Sequence, residues 1–273
     1  MLQPTDEQEI EIIVVFQQKG GNGKSVAAVQ LAYSLAKKGK RVLFVDADPQ
    51  GTGSLHFLGV SYRELKITFF NAITSTRNIE QVTRIDPIVI SERLHLLPAH
   101  DELEQAEVLL TSKHTFEWRE QLMKLLGLYA DDYDYVVVDT PGSRVSIFPT
   151  LALVAADQVI IPVKTTFEAQ QATIESMGLV EDIKKNLNPH LQISCILPNQ
   201  FEQTLHHQEI IDILKETYPS LVWEASRKSI KYAEALVAKE DVRVLARSLG
   251  KYWDGLAESL IEKAGRKYAS QTH

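Results

Sequence analysis

The stretch that decides the fold is Phe16-Gln17-Gln18-Lys19-Gly20-Gly21-Asn22-Gly23-Lys24-Ser25. An apolar run from Ile10 to Phe16 precedes it, and a helical pattern from Val26 to Lys38 follows it. A strand, a glycine-rich turn and a helix that opens with Lys-Ser bind phosphates, because glycines let N–H groups turn inward and the helix N-terminus is positive. Lys24 is expected to reach the β- and γ-phosphates, and the Ser25 hydroxyl to ligate Mg²⁺. The stretch predicts a nucleotide-phosphate site.

Outward from this stretch, apolar runs alternate with helical patterns, which is typical of a sheet covered by helices on both faces. We therefore predict an α/β fold with a doubly wound, mostly parallel sheet. Strands are predicted at Glu11–Phe16, Arg41–Val45, His95–Pro98, Tyr135–Val138, Gln158–Val163, Gln192–Leu197 and, less regularly, Leu221–Trp223. Further helices are predicted at Asp101–Ser112, His114–Tyr129, Ala169–Asn186, Gln203–Thr217, Ile230–Val237 and Leu245–Arg266. The irregular stretch Gly59–Arg93 is interpreted as an insertion between core strands.

Composition narrows the class of protein. The 273 residues contain no linker-like segment, so we expect one domain over residues 10–267, with a short extension at 1–9 and a frayed tail at 268–273. The single cysteine, Cys195, argues against a disulfide framework, a Cys-rich zinc site and a cysteine-held iron–sulfur cluster. No apolar run reaches the roughly 20 residues that span a bilayer, and the polar N-terminus lacks a secretory signal. A cytoplasmic location is expected.

Two further carboxylate motifs follow predicted strands. Asp46-Ala47-Asp48-Pro49-Gln50 ends the second strand, and Asp139-Thr140-Pro141-Gly142 follows Val136-Val137-Val138. Ligands of open α/β sheets bind beyond the carboxyl ends of strands, so both motifs are expected to face the phosphate site. A carboxylate there can orient an attacking water or hold Mg²⁺, although a turn that merely starts at Asp48-Pro49 is an equally good interpretation of that motif alone.

Together these motifs resemble the ParA/MinD family of deviant Walker A ATPases. Lys-Gly-Gly-x-Gly-Lys-Ser with its extra Lys19 is similar to the family's P-loop, Asp46-x-Asp48-Pro49-Gln50 to its switch I, and Asp139-Thr140-Pro141 to its switch II. The segment Lys228-Ser229-Ile230-Lys231-Tyr232-Ala233-Glu234-Ala235 resembles the part of ParA that precedes the last helices. The resemblance runs from about Glu11 to Ala235.

The resemblance implies a P-loop NTPase that binds ATP and Mg²⁺ and closes two ATP molecules between two subunits. It implies catalytic roles for Lys24, for Lys19 reaching the partner's phosphates, and for Asp48 orienting the hydrolytic water. The implied nucleotide contacts are Lys19, Gly20, Gly21, Asn22, Gly23, Lys24, Ser25 and Val26. The implied magnesium site comprises Ser25, Asp48 and Asp139.

Two positions depart from the family pattern. Val26 stands where many relatives have a second hydroxyl residue, and Arg227-Lys228 lacks the proline that often lies near the adenine. Asn199 is our candidate adenine contact, and an asparagine that simply occupies a strand-end loop is an equally good interpretation.

The resemblance also implies partners: a ParB-like or cargo-adaptor protein that stimulates hydrolysis, and DNA bound without sequence preference. The candidate DNA-binding cations are Arg227, Lys228, Lys231, Arg243 and Arg247. The net charge of −7 and the interleaved acids leave open the alternative that these cations are only solvated, but the resemblance favours DNA binding. Because the first strand starts so early, we expect no N-terminal helix-turn-helix domain and no operator binding.

Two other functions compete with this one. A MinD-like ATPase would anchor to membranes by a C-terminal amphipathic helix, but the apolar stripe Leu256, Leu260 and Ile261 fades before the end of the chain. We expect that stripe to pack on the domain and expect no stable membrane anchor. A P-loop metabolic enzyme would need a dedicated substrate pocket, for which the sequence has no motif.

Overall fold

The computed structural model describes residues 10–60, 64–74, 82–112 and 116–271. Its strands are β1 (Glu11–Val15), β2 (Val42–Asp46), β3 (Ile88–Ser91), β4 (Leu94–Leu97), β5 (Tyr135–Asp139), β6 (Gln158–Lys164) and β7 (Gln192–Asn199). Its first helices are α1 (Lys24–Lys37), α2 (Thr52–Leu58), α3 (Phe69–Thr74), α4 (Leu103–Thr111), α5 (Gln121–Gly127) and α6 (Phe148–Ala155). They are followed by α7 (Phe167–Asn186), α8 (Leu205–Thr217), α9 (Lys231–Ala238), α10 (Val242–Leu245) and α11 (Arg247–Gln271).

The strands form one sheet in the order β3-β4-β2-β5-β1-β6-β7. All neighbours pair in parallel except β3 and β4, so the predicted doubly wound, mostly parallel sheet is confirmed. β1 lies between β5 and β6, and β2 pairs with β5 in a register that places Asp46 opposite Asp139. The carboxyl ends of β1, β2 and β5 therefore meet at one edge, where the three sequence motifs begin.

Helices cover both faces of the sheet. Successive residues of a strand point to opposite faces, so β1 sends Ile12 and Val14 into one apolar cluster and Ile13 and Val15 into the other. The first cluster lies under α3 to α8, and the second lies under α1, α2 and α9 to α11. Residues of β1, β2 and β5 are all buried, as expected of central parallel strands, and this rigid centre carries the loops of the site.

The structure differs from the predicted elements in places where periodicity carries little signal. Helices α2 and α3 are seven and six residues long, and α6 is apolar on nearly every side, so none shows an amphipathic pattern. β3 lies within the stretch that was interpreted as an insertion and was not predicted. In place of the strand predicted at Leu221–Trp223, the structure has a single β-bridge between Val222 and Ile196.

Helix ends account for the remaining differences. The helix predicted at His114–Tyr129 is a 3-10 helix at Phe116–Glu120 followed by α5, and its predicted start lies outside the described residues. α11 continues to Gln271, so most of the tail predicted to fray is helical. The predicted extension at 1–9 also lies outside the described part of the chain. Among described residues, no helix is both long and apolar enough to cross a membrane.

Candidate nucleotide-binding site

The loop between β1 and α1 has the backbone shape of a phosphate cradle. Gly21 and Gly23 have φ angles of 78° and 76°, a left-handed conformation that glycine adopts without steric cost. Gly142 of the loop after β5 packs against this turn, since a Cβ at Gly142 would lie 2.9 Å from both the N and the Cα of Gly20. The glycines thus allow two backbone segments to meet at the head of α1.

A cleft of about 720 Å³ opens beside this loop. The P-loop forms one wall, the segment from Asp48 to Thr52 a second, and the loop after Asp139 a third. The candidate nucleotide contacts that line the cleft are Gly20, Gly21, Gly23, Lys24, Ser25 and Val26. Asn22 does not line it: its side chain is buried, donates to the carbonyl of Lys19 at 3.1 Å and accepts from the N–H of Lys164 at 3.1 Å.

Lys24 is a buried cation at the floor of the cleft. Its residue is only 6% exposed, and Nζ lies 3.4 Å from the carbonyl oxygen of Lys19. Burial lowers the pKa of Lys24, while the nearby carboxylates of Asp139 and Asp48 act in the opposite direction. A bound anion would replace the hydration that this ammonium group has lost.

Asp139 is a buried carboxylate at the carboxyl end of β5. Within the described part of the chain, neither of its oxygens has a hydrogen-bond partner. Burial raises the pKa of Asp139 well above its ordinary value, the charge of Asp46 adds to this, and Ser25 and Lys24 oppose it. Two unpartnered carboxylate oxygens beside a hydroxyl are hard donors of the kind that Mg²⁺ prefers, so these residues fit such an ion.

The two aspartates of the β2 motif differ in environment. Burial raises the pKa of Asp46 to about 7, and Ser54 offsets part of this by donating its Oγ–H and N–H to Oδ2 at 2.7 and 2.6 Å. Asp46 thus ties the start of α2 to β2. Asp48 lines the cleft, where its Oδ1 accepts the N–H of Gln50 at 2.9 Å and shapes the turn. Of the two, Asp48 is the carboxylate that a ligand can reach.

The two P-loop lysines point in different directions. Lys19 is exposed, and its side chain has neither a hydrogen bond nor an ion pair with any described residue. It borders an open groove of about 490 Å³ with Gly142, Arg144 and Glu168, on a different side of the P-loop from the cleft. The phosphate cradle of this chain is therefore built without the Lys19 ammonium group.

Asn199 lies beside the P-loop. It is 5% exposed, its Nδ2 donates to the carbonyl of Asn22 at 3.2 Å, and its Oδ1 accepts the N–H of Gln200 at 2.8 Å. Both polar ends of the side chain are thus bonded to protein. Its adenine contact stays a prediction.

The candidate DNA-binding cations do not form a uniform set. Arg227 and Arg247 are exposed, while the side chains of Lys228 and Lys231 are 64% and 41% exposed and pair with Glu202 and Glu234 at 2.6 and 2.7 Å. Arg243 requires a correction: it is 16% exposed and its guanidinium bonds to Asp241, Asp254 and Ser34. Arg243 therefore joins α1, α10 and α11 and has no free charge to offer a phosphate.

Several residues of the site carried no signal in the sequence. Glu104 and Glu107 of α4 line the cleft opposite the P-loop, and Glu107 also accepts from the Ser146 hydroxyl and, at 3.2 Å, from the N–H of Ile147. Glu107 thereby caps the start of α6 from another helix, an interaction between distant residues that no local pattern predicts. The stripe at Leu256 and Leu260 is buried in the second apolar cluster, as expected.

Comparison with known proteins identifies the family to which this chain belongs. A sequence model of the family described as AAA domain matches residues 10–193. The chromosome partitioning protein ParA of Myxococcus xanthus is 33% identical over 204 residues, which cover 74% of this chain and 70% of that protein. The chain belongs to the ParA/MinD family. This family assignment agrees with the P-loop, the neighbouring carboxylates and the sheet order.

One more sequence relative and one solved structure are similar to this ParA/MinD-family protein. An uncharacterised protein of Mycobacterium tuberculosis, Rv1708, is 32% identical over 263 residues, covering 93% of this chain and 80% of that protein. The structure of Cyanothece McdA in complex with ATP matches with a TM-score of 0.80 at 23% identity, covering 92% of this chain and 96% of that one. The McdA match shows a shared fold. A chromosome partitioning protein is thus among the sequence relatives, and an ATP complex is among the structures that share the fold.

Proposed function

We propose that this protein is a ParA-type ATPase that dimerises around two ATP molecules, binds DNA without sequence preference and positions a DNA or protein cargo. The observation that carries the proposal is the contrast between its two P-loop lysines. Lys24 is buried under its own cradle, whereas the side chain of Lys19 is exposed beside the neighbouring groove and makes no hydrogen bond or ion pair with a described residue. An unused cation next to a phosphate site is suited to a neighbouring molecule.

In the proposed site, the ATP phosphates accept hydrogen bonds from the N–H groups of the P-loop, and the Lys24 ammonium group balances their charge. Ser25 and Asp139 would hold Mg²⁺, which, when bound, neutralises charge on the phosphate oxygens. Asp48, on the opposite wall, orients a water molecule toward the γ-phosphorus. The water oxygen forms a bond to phosphorus as the bond to the β–γ bridging oxygen breaks, giving ADP and inorganic phosphate.

Lys19 would act on the partner's nucleotide. A lysine at the start of the loop lies behind its own cradle, but it can neutralise transition-state charge across a subunit interface, as an arginine finger does. Hydrolysis would then be slow in monomers and coupled to dimerisation. A ParB-like or cargo-adaptor protein would stimulate it and release the dimer.

DNA binding would use the cations that have a free charge or exchange a surface partner. These are Arg227, Lys228, Lys231 and Arg247. Exposed ion pairs such as Lys228–Glu202 are worth little, so a DNA phosphate can replace the carboxylate. Two copies in a dimer double this surface, and the bound dimer would associate with the nucleoid.

Electrophoretic retention of random-sequence DNA with ATP, with ADP and without nucleotide tests the proposal. We expect retention only with ATP. The Arg227→Ala, Arg247→Ala double variant should show weaker retention, because fewer contacts to phosphates mean that fewer counterions are released when DNA binds. Lys124→Ala removes from α5 a surface cation that pairs with Glu120, and it serves as the control.

Other outcomes would favour other functions. Sedimentation with liposomes in ATP, without DNA retention, would replace the proposal by a MinD-like membrane cycle. Turnover that depends on a small-molecule co-substrate, and on no protein partner, would indicate a metabolic enzyme.

A further inference from the structure

The carboxyl end of β7 contacts the P-loop through two adjacent side-chain amides. Asn199 donates from Nδ2 to the carbonyl of Asn22 at 3.2 Å, and Gln200 donates from Nε2 to the carbonyl of Gly21 at 3.2 Å. The two contacts hold consecutive peptide groups of the turn. They also leave no space at Gly23, where a Cβ would collide with the Asn199 amide.

These contacts determine where the N–H groups of the turn point. The C=O of one residue and the N–H of the next belong to one planar peptide group, and in a trans peptide they point in opposite directions. The described chain has no cis peptide bond. A carbonyl of Gly21 held toward Gln200 therefore turns the N–H of Asn22 away from β7, and a carbonyl of Asn22 held toward Asn199 does the same for the N–H of Gly23.

The two N–H groups are free to bind a ligand. Neither the N–H of Asn22 nor that of Gly23 donates a hydrogen bond to any residue that the structure describes. Buried or half-buried amides without acceptors are costly, and a phosphate is the ligand that such a loop accepts. The turn is thus prepared before any nucleotide arrives.

Gln200 adopts a strained backbone to make its contact. Its φ is 56°, and Lys239 is the only other non-glycine residue with a positive φ among the described residues. The left-handed region is unfavourable for a residue with a Cβ, and such strain persists only where the surroundings enforce it. Here the Asn199 Oδ1 accepts the N–H of Gln200 at 2.8 Å and holds the turn.

We propose that Asn199 and Gln200 are positioning residues that hold the Gly21 and Asn22 carbonyls outward, so that the following N–H groups face the phosphates of the nucleotide. The inference rests on the nucleotide binding proposed above and does not require dimerisation, hydrolysis or DNA. It differs from an adenine contact at Asn199, because the amides act on the loop and not on the base.

The test compares ATP with tripolyphosphate, which has the phosphates but no base, in calorimetric titrations of the wild-type protein and Gln200→Gly with Mg²⁺. Glycine relieves the left-handed strain while removing the amide, so the melting temperature should stay equal or rise. Loss of one hydrogen bond that orders the loop should weaken both ligands by the same factor, roughly fivefold. Lys239→Gly is the matched control: it relieves the same kind of strain and should leave both affinities unchanged.

Each result has one meaning. Loss of ATP affinity with unchanged tripolyphosphate affinity would identify a base contact and overturn the inference. Unchanged affinity for both ligands in Gln200→Gly and in Asn199→Ala would also overturn it and leave the proposed function intact. If the wild-type protein binds neither ligand, the proposed function and the inference are both wrong.

Discussion

At the scale of single residues, the Asp139 carboxylate is a buried charge that destabilises the folded protein. This carboxylate is fully buried, has no hydrogen-bond partner among described residues and lies beside a second buried aspartate across the β2–β5 pairing. Such a group lowers the stability of the empty protein and gains most from a bound cation. If Asp139 holds Mg²⁺ as proposed, the stability that its burial costs the empty protein would be recovered when the ion binds.

We predict that Asp139→Asn stabilises the metal-free protein by about 1–2 kcal/mol at pH 8, since an amide carries no charge to desolvate. A carboxyl whose pKa is raised by folding destabilises the native state as pH rises above about 3.8, its unfolded value, so the gain should shrink toward pH 4. Urea unfolding in EDTA across this pH range measures it.

The same variant should lose the stabilisation that Mg²⁺ and ADP give the wild-type protein. Asp131→Asn, an exposed change just before β5, should alter neither property. A metal-free Asp139→Asn protein that is less stable than the wild type at pH 8 would contradict the assignment.

The sequence predicted the residues of the site better than their partners. Lys24, Ser25, Asp48 and the P-loop glycines line the cleft as expected, because strand-end motifs must meet at one edge of a parallel sheet. Ser54 beneath Asp46 and Glu107 at the start of α6 could not be predicted, since each contact joins segments whose packing no local pattern encodes.

At the scale of elements, the sequence predicted the long amphipathic helices and missed those that are short or fully buried. α6 is an example, since its apolar residues face several neighbours at once and leave no polar side to mark a period. Arg243 shows the limit for charges. From the sequence alone, an arginine is expected to be a surface cation. Only the packing of α10 against α11 shows that Arg243 forms ion pairs with Asp241 and Asp254.

The α10–α11 contact provides a matched pair of tests. A Cβ at Gly250 would collide with the side chain of Arg243, whereas a Cβ at Gly255, five residues further along α11, has nothing within 4 Å. We predict that Gly250→Ala destabilises the protein by about 1–3 kcal/mol, because α11 must move away from Arg243. Gly255→Ala should stabilise it by about 0.5–1 kcal/mol through lower backbone entropy of the unfolded chain.

Thermal or urea unfolding of the two variants measures both effects. Equal stabilities would show that α10 and α11 are not packed as described here, and nucleotide affinity should be the same in both because the contact lies away from the cleft.

At the scale of the whole molecule, a site completed by a second subunit can be tested by mixing. Lys19→Ala should bind ATP but hydrolyse it poorly, and Asp48→Ala should form an ATP dimer that persists. In a mixed dimer, the Lys19→Ala subunit keeps its own Asp48 and receives Lys19 from its partner, so one of the two sites is intact. An equal mixture should recover roughly a quarter of wild-type turnover, since random pairing puts half of the subunits in mixed dimers.

Phosphate release, followed for each variant alone and for the mixture, measures this recovery. A mixture no more active than its components would place Lys19 in its own subunit's site. Turnover of Lys19→Ala alone at the wild-type rate would remove any role for this lysine in hydrolysis.

The exposed Lys19 has one more consequence. A catalyst that needs a charge from a second copy has a rate that grows with the square of its concentration when the protein is dilute. Such a protein would hydrolyse ATP slowly when it is dilute and faster when it is concentrated on a surface. If Lys19 acts on a partner's nucleotide as proposed, its exposed ammonium group would make hydrolysis depend on the local density of this chain.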